Sequence, residues 1–175
     1  INEQALTEAH QRHDPEGMLK ALEKKLAQSP DDAEGWFTLG RAYVEMKRMD
    51  EALKALDRAR QLDSQNASYL AQYAEALAMA QGNLLGEPLQ LIQAALEINY
   101  EEEKALELAG LAAFQQEKWA ESLHYWRRLL KRLPKDSEMY EAISRAVGVA
   151  EQKVEAAGLG DRAKLQPPPM AKQPH

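Results

Sequence analysis

The stretch Ala33–Ser64, "AEGWFTLGRAYVEMKRMDEALKALDRARQLDS", decides the fold. Trp36-x-x-Leu39-Gly40-x-x-Tyr43 sets large and small residues at helical spacing, and Ala52-x-x-x-Leu56 followed by Ala59 does the same on a second helix. Gly40 and Ala52 are small, so the two helices can approach closely. Trp36, Leu39, Tyr43 and Leu56 then fill the space between them and toward whatever packs next.

This string resembles the tetratricopeptide repeat, with residue size and spacing agreeing at seven places. The usual terminal proline is Ser64 here. Later segments follow the same template. Leu70, Tyr73, Ala74 and Leu77, then Ile92 and Ala95, fit a second repeat. Leu106, Ala109, Gly110 and Ala113, then Ser122, Trp126, Leu129 and Pro134, fit a third. Gly40, Ala74 and Gly110 are separated by 34 and 36 residues, whereas Ala59, Ala95 and Leu129 are separated by 36 and 34. Both series place two extra residues between the helices of the middle repeat, in "QGNLLGEP" (Gln81–Pro88). Pro88 suits the first turn of the helix that follows.

One repeat cannot bury its apolar face alone, so repeats stack and the ends are capped. The expected fold is all-α: an α-α superhelix of three tetratricopeptide repeats, at about 33–66, 67–102 and 103–136, with an N-terminal helix and a C-terminal capping helix at 137–157. Asp14-Pro15 reads as the start of the N-terminal helix, Met18, Leu19, Leu22 and Leu26 as its apolar face, and Pro30 as its stop. In the capping helix Tyr140, Ile143, Val147, Ala150 and Val154 recur at helical spacing, with Ser137 to cap it and Gly158 to end it. The repeat domain thus runs from 14 to 158. Residues 1–13 read as a weakly ordered N-terminal segment, frayed or weakly helical, and 159–175 as a flexible proline-rich tail or linker.

Composition narrows the function classes. The chain has 175 residues, 29% charged, a net charge of −6 and no cysteine. A nucleic-acid footprint over the whole surface, disulfides, thiol catalysis and cysteine metal sites are excluded. The longest apolar runs, such as "LAGLAAF", are too short to span a bilayer. A chain that starts at Ile1 is expected to be a processed product or a piece of a longer protein. His10, His13, His124 and His175 lack metal-ligand spacing and read as surface residues. "EEEK" (Glu101–Lys104) falls where a helix begins, which its charge suits. There is no phosphate loop, nucleophile elbow or triad logic, so no catalytic residue, cofactor or metal is expected.

"EKWAESLHYWRRLLKRLP" (Glu117–Pro134) interleaves aromatic and basic residues, as a stacking platform would. Trp119, Leu123, Trp126, Leu130 and Leu133 nevertheless step by 4, 3, 4 and 3, which is one buried stripe. Arg127, Arg128, Lys131 and Arg132 lie off it, as a solvated rim near a helix C-terminus.

In tetratricopeptide arrays the first helices line a concave face that binds an extended or helical peptide. Carried onto this sequence, the resemblance points to Glu34, Phe37, Arg41, Val44 and Glu45 in the first repeat. It points to Ala71, Glu75, Ala78 and Met79 in the second, and to Lys104, Glu107, Leu111, Phe114 and Gln115 in the third. All are expected to face outward. The apolar Phe37, Val44, Met79, Leu111 and Phe114 either form the floor for an amphipathic helix or a peptide terminus, or they partly fill a narrow superhelix or contact the capping helix. The carboxylate clamp of co-chaperone arrays is not matched, since Phe37 and Arg41 stand where it needs Lys and Asn, and only Lys104 agrees.

Three segments carry a narrower resemblance: "LEKKLAQSPDDAEGWFTLGRAYVEMKRMDEAL", "ALELAGLAAFQQEKWAESLHYWRRLLKRLPKDSE", and the glycine-containing loop between them. Together they resemble the periplasmic tetratricopeptide domain of bacterial c-type cytochrome maturation factors, the CcmI/CycH and NrfG types. The resemblance implies a periplasmic, non-catalytic chaperone. It would bind the C-terminal helix or segment of an apocytochrome c, work alongside haem lyase complex subunits, and reach the membrane only through an anchor not present in this chain. The alternative is a general repeat scaffold for another envelope or cytosolic complex.

Overall fold

The computed structural model describes residues 3–5 and 14–158. Residues 3–5 are helical; the rest of the N-terminal segment and the proline-rich tail lie outside the described residues. Among the described residues from Pro15 to Gly158, eight helices follow one another: α1 (Pro15–Gln28), α2 (Ala33–Glu45), α3 (Met49–Leu62), α4 (Ala67–Gln81), α5 (Glu87–Ile98), α6 (Glu103–Gln115), α7 (Trp119–Leu130) and α8 (Glu138–Ala156). No strand occurs among the described residues. Each helix packs on its neighbour in sequence, and α4 also touches α6, which places successive first helices side by side along one face.

Capping side chains mark five of the eight helix starts. Asp14, Asp32, Asn66, Glu102 and Ser137 accept from the backbone N–H three residues on, at 3.0, 3.0, 3.1, 2.7 and 3.1 Å, and so cap α1, α2, α4, α6 and α8. The second helices α3, α5 and α7 have no side-chain cap. In the first and third repeats the chain instead doubles back directly. The Arg48 N–H donates to the Tyr43 carbonyl and the Lys118 N–H to the Ala113 carbonyl, closing α2 and α6. Lys47 and Glu117 carry the left-handed residue of this turn, both at φ 60°. In the middle repeat Gly82 takes that role at φ 92°. The longer loop that follows is held by Gln81 Nε2, which donates to the carbonyls of Asn83 (3.0 Å) and Leu85 (2.8 Å).

Within a repeat the helices meet at the small positions. A Cβ on Gly40 would lie 2.6 Å from Leu56 Cγ, and one on Gly110 would lie 2.2 Å from Trp126 Nε1. Ala74 and Ile92, the corresponding pair of the middle repeat, are both completely buried. Ser122, fully buried at the same contact, donates from Oγ to the Gly110 carbonyl at 2.9 Å, and Trp126 Nε1 donates to the Glu107 carbonyl at 3.2 Å. These two bonds satisfy the polar atoms that the close packing removes from water.

The apolar interior forms two clusters. The smaller joins α1 to the first repeat through Leu19, Leu22, Leu26, Leu39 and Tyr43. The Tyr43 hydroxyl donates to Glu23, and Trp36 Nε1 to the Pro30 carbonyl at 2.8 Å, tying α1 to α2. Burial, and then the Glu23 carboxylate, push the Tyr43 hydroxyl above the ordinary phenol range. The larger cluster runs from Ala67 on α4 to Val154 on α8. On α7 Leu123 and Trp126 are buried within it and Trp119 and Leu130 are partly buried against it; α7 ends at Leu130, so Leu133 of the expected stripe reaches the cluster from the turn beyond the helix. Between the clusters, Phe37 stacks on Tyr69 with centroids 4.6 Å apart, and the Arg60 guanidinium lies 4.5 Å from the Tyr73 ring centre.

Two outcomes are expected from this packing. Gly110→Ala should destabilise the fold by about 1–3 kcal/mol although alanine is the better helix former. Glu117→Gly should stabilise it by up to about 1 kcal/mol by relieving a left-handed non-glycine residue. Denaturant midpoints measure both. A third concerns pH. Burial raises the Glu102 carboxyl above its ordinary range, outweighing the Ala105 and Lys104 amides that lower it. With a raised folded value, the ionised group costs stability at neutral pH, and that cost vanishes as pH falls through the folded value toward the unfolded one. Glu102→Gln keeps an acceptor for the Ala105 amide. It is expected to be more stable than the parent at about pH 7 and equal to it at about pH 3, by urea titration at each pH.

Candidate functional site

The first helices α2, α4 and α6 carry the residues expected to line a groove, and the structure divides them into three groups. Met79 (54% exposed) on α4 and Leu111 (39%) on α6 face out as large apolar side chains. With Glu75, Ala78, Gly82, Asn83, Leu84, Leu108 and Gln115 they line a shallow hollow of about 470 Å³. Arg41 and Glu45 on α2 are also exposed. Arg41 lies 5.8 Å from the Phe37 ring centre, and Glu45 borders a different hollow of about 310 Å³ between α1 and α2, beside Pro15, Met18, Ala42 and Met46.

The second group forms ion pairs. Lys104 Nζ lies 3.0 Å from Glu75 Oε2 and 3.2 Å from Glu107 Oε1, bridging α4 and α6. All three side chains are largely shielded, at 22%, 28% and 21% exposure. Burial lowers the Lys104 ammonium, but the Glu107 and Glu75 carboxylates outweigh it, and the net shift is upward. Lys104 is therefore firmly charged and engaged within the chain. It does not stand as an open clamp for a ligand carboxylate.

The third group corrects the expectation of outward-facing residues. Ala71 is completely buried, and Ala78 at 8% exposure is floor beneath Met79. Their helix packs against both α5 and α6, so its inner face is wider than one repeat in isolation requires. Phe114 turns back into its own repeat, 4.9 Å from Trp119 and 5.8 Å from Trp126 between ring centres. Phe37 is half-buried against Tyr69, and Val44 is half-buried against the N-terminal cluster.

Several residues of the hollow were missed by sequence reasoning. Gly82, Asn83 and Leu84 come from the long loop, where Leu84 is 4% exposed and forms the end wall. Leu108 completes the back. The two-residue offset in the repeat spacing was the available signal, since extra chain between α4 and α5 has to be packed somewhere. A further hollow of about 370 Å³ lies on the other side of the ion-pair cluster. Ser68, Gln72, Glu102, Glu103, Lys104, Glu107, Leu129, Leu133 and Met139 line it.

The basic rim of α7 is largely occupied. Arg132 pairs with Glu101 at 2.8 Å, Arg127 with Glu151 at 3.4 Å, and the Arg128 guanidinium sits 4.6 Å from the Tyr100 ring centre. His124 is half-buried rather than on the open surface, and burial, then Arg128 and Lys131, hold its imidazole below the ordinary range. His10, His13 and His175 lie outside the described residues. Among the described residues no three His, Cys, Asp or Glu converge in a way that could hold a metal, and no helix is long and apolar enough to cross a membrane.

Comparison with known proteins agrees with this architecture. CycH of Pseudomonas aeruginosa, a cytochrome c-type biogenesis protein, is 31% identical over 156 residues, covering 89% of this chain and 38% of that protein. CcmH of Escherichia coli K12 is 28% identical over 134 residues, covering 75% of this chain and 38% of that protein. NrfG of Escherichia coli O157:H7, a formate-dependent nitrite reductase complex subunit, is 29% identical over 120 residues, covering 68% and 61%. The chain thus spans less than two fifths of the length of the CycH and CcmH proteins. Among solved structures, the MamA protein matches with a TM-score of 0.70 at 19% identity, over 94% of this chain and 85% of that one, a likeness of fold. The family described as the cytochrome c-type biogenesis protein H TPR domain matches residues 2–140, and the chain belongs to that family.

Proposed function

We propose that this domain is a non-catalytic peptide-binding module of cytochrome c maturation, working in the periplasm. It holds the C-terminal segment of an apocytochrome c for haem attachment by haem lyase complex subunits. The observation that carries this reading is the pair Met79 and Leu111, large apolar side chains left exposed on adjacent first helices across an apolar-floored hollow. Neither is required by the packing of the repeats, and an amphipathic helix laid along α4 and α6 would remove both from water. The choice of an apocytochrome as ligand is supported by relatives named for cytochrome c-type biogenesis.

The expected outcome is saturable binding of a C-terminal peptide of an apocytochrome c from the same organism, measured by calorimetry. Leu111→Asp should weaken it at least about ten-fold with an unchanged circular dichroism spectrum, because a charge would stand in the apolar contact. Phe114→Ala should instead lower stability by roughly 2–4 kcal/mol, since that ring packs against Trp119 and Trp126. No saturable binding, or binding indifferent to Leu111→Asp, would sink the reading.

A further inference from the structure

The groove between α4 and α6 carries a charge pattern as well as an apolar one. Glu75 stands one helical turn before Met79 on α4, and Glu107 one turn before Leu111 on α6. The apolar lips and the ion-pair cluster are thus adjacent stations along one groove, roughly 6 Å apart. Between Glu75 and Glu107 sits a single cation, Lys104, and among the described residues no second cation pairs with either carboxylate. The cluster keeps one unit of negative charge in excess, in a place where solvent screens it incompletely. Beyond it, Glu102 and Glu103 line the next hollow together with Leu133 and Met139. The two hollows and the cluster therefore set four carboxylates, Glu75, Glu102, Glu103 and Glu107, against one ammonium. The stretch of α4 from Ser68 to Gln81 that borders them is roughly 20 Å long at the α-helical rise, room for a ligand helix of about four turns.

We propose that this groove selects an amphipathic helix carrying an apolar side chain and, one turn away, a lysine or arginine. The apolar side chain seats between Met79 and Leu111, and the cation joins Glu75 and Glu107 beside Lys104. The inference rests on the peptide-binding reading given above and adds the ligand's charge. An apolar helix without the cation would cover the excess carboxylate and remove its remaining water without a partner, and an acidic residue there would meet like charge. The correct helix satisfies both stations at once, so the groove discriminates by what it would leave unpaired as well as by what it attracts.

The probes are fluorescein-labelled synthetic helical peptides of about four turns with a leucine stripe, identical except for Lys or Glu one turn from the central leucine. Fluorescence anisotropy with the whole chain is expected to show the Lys peptide binding at least about ten-fold more tightly than the Glu peptide at low salt, with the gap narrowing as salt is added. Combined Glu75→Gln and Glu107→Gln should erase most of the gap. Lys104→Met should widen it, because the internal competitor for the carboxylates is gone. Equal binding of the two peptides, preference for the Glu peptide, or a gap that survives the double Gln variant overturns the proposal. If Leu111→Asp still abolishes binding in those cases, the groove stands and only its charge selectivity falls. If neither peptide binds, or Leu111→Asp has no effect, the peptide-binding reading falls with it. Circular dichroism of each variant separates these results from loss of fold.

Discussion

Everything in this array depends on how near the two helices of a repeat can come. At Gly40 and Gly110 the distance left for a side chain is less than one carbon atom needs, because Leu56 and Trp126 already occupy it. That contact sets the spacing within the repeat, and the spacing decides which faces remain for the next repeat. It also explains why the third repeat needs Ser122. With Trp126 over Gly110, a backbone carbonyl is sealed from water, and the serine hydroxyl is its partner at 2.9 Å. The middle repeat meets the same constraint with Ala74 opposite Ile92, and with Pro88 buried at the start of α5.

The groove is a by-product of that geometry. First helices stand side by side on one face, and their outermost residues need not pack. Where the sequence places charges there, as at Glu75, Lys104 and Glu107, they pair between helices and stiffen the face. Where it places Met79 and Leu111, large apolar side chains stay exposed. The apolar face continues into the long loop through Leu84, so an insertion that interrupts the repeat period also builds an end wall.

The helices and their pairing were legible in the sequence because they follow from local rules. Asp14 and Ser137 announce helix starts, and the alternation of large and small residues announces a repeat. The groove was legible only in part, since helical periodicity assigns a residue to a face without saying how many neighbours that face has. Ala71 lies on the same helix as the exposed Met79, and Phe114 on the same helix as the exposed Leu111. The first is covered by neighbouring helices, and the second swings back onto two tryptophans. Lys104 shows the other limit. Its partner Glu75 lies 29 residues earlier, so the pairing exists only once two repeats are stacked.

The junction between the first and second repeats gives the molecule a grain. Aliphatic burial is continuous from α4 to α8, whereas across the junction Phe37 faces Tyr69 and Arg60 faces Tyr73. Flat rings and a planar guanidinium group meet there beside the buried Leu56 and Ala59 of α3. The groove between α4 and α6 lies wholly on the continuous side, so the larger core sets the Met79–Leu111 spacing, whereas Arg41 and Glu45 are carried by the helix that packs on α1.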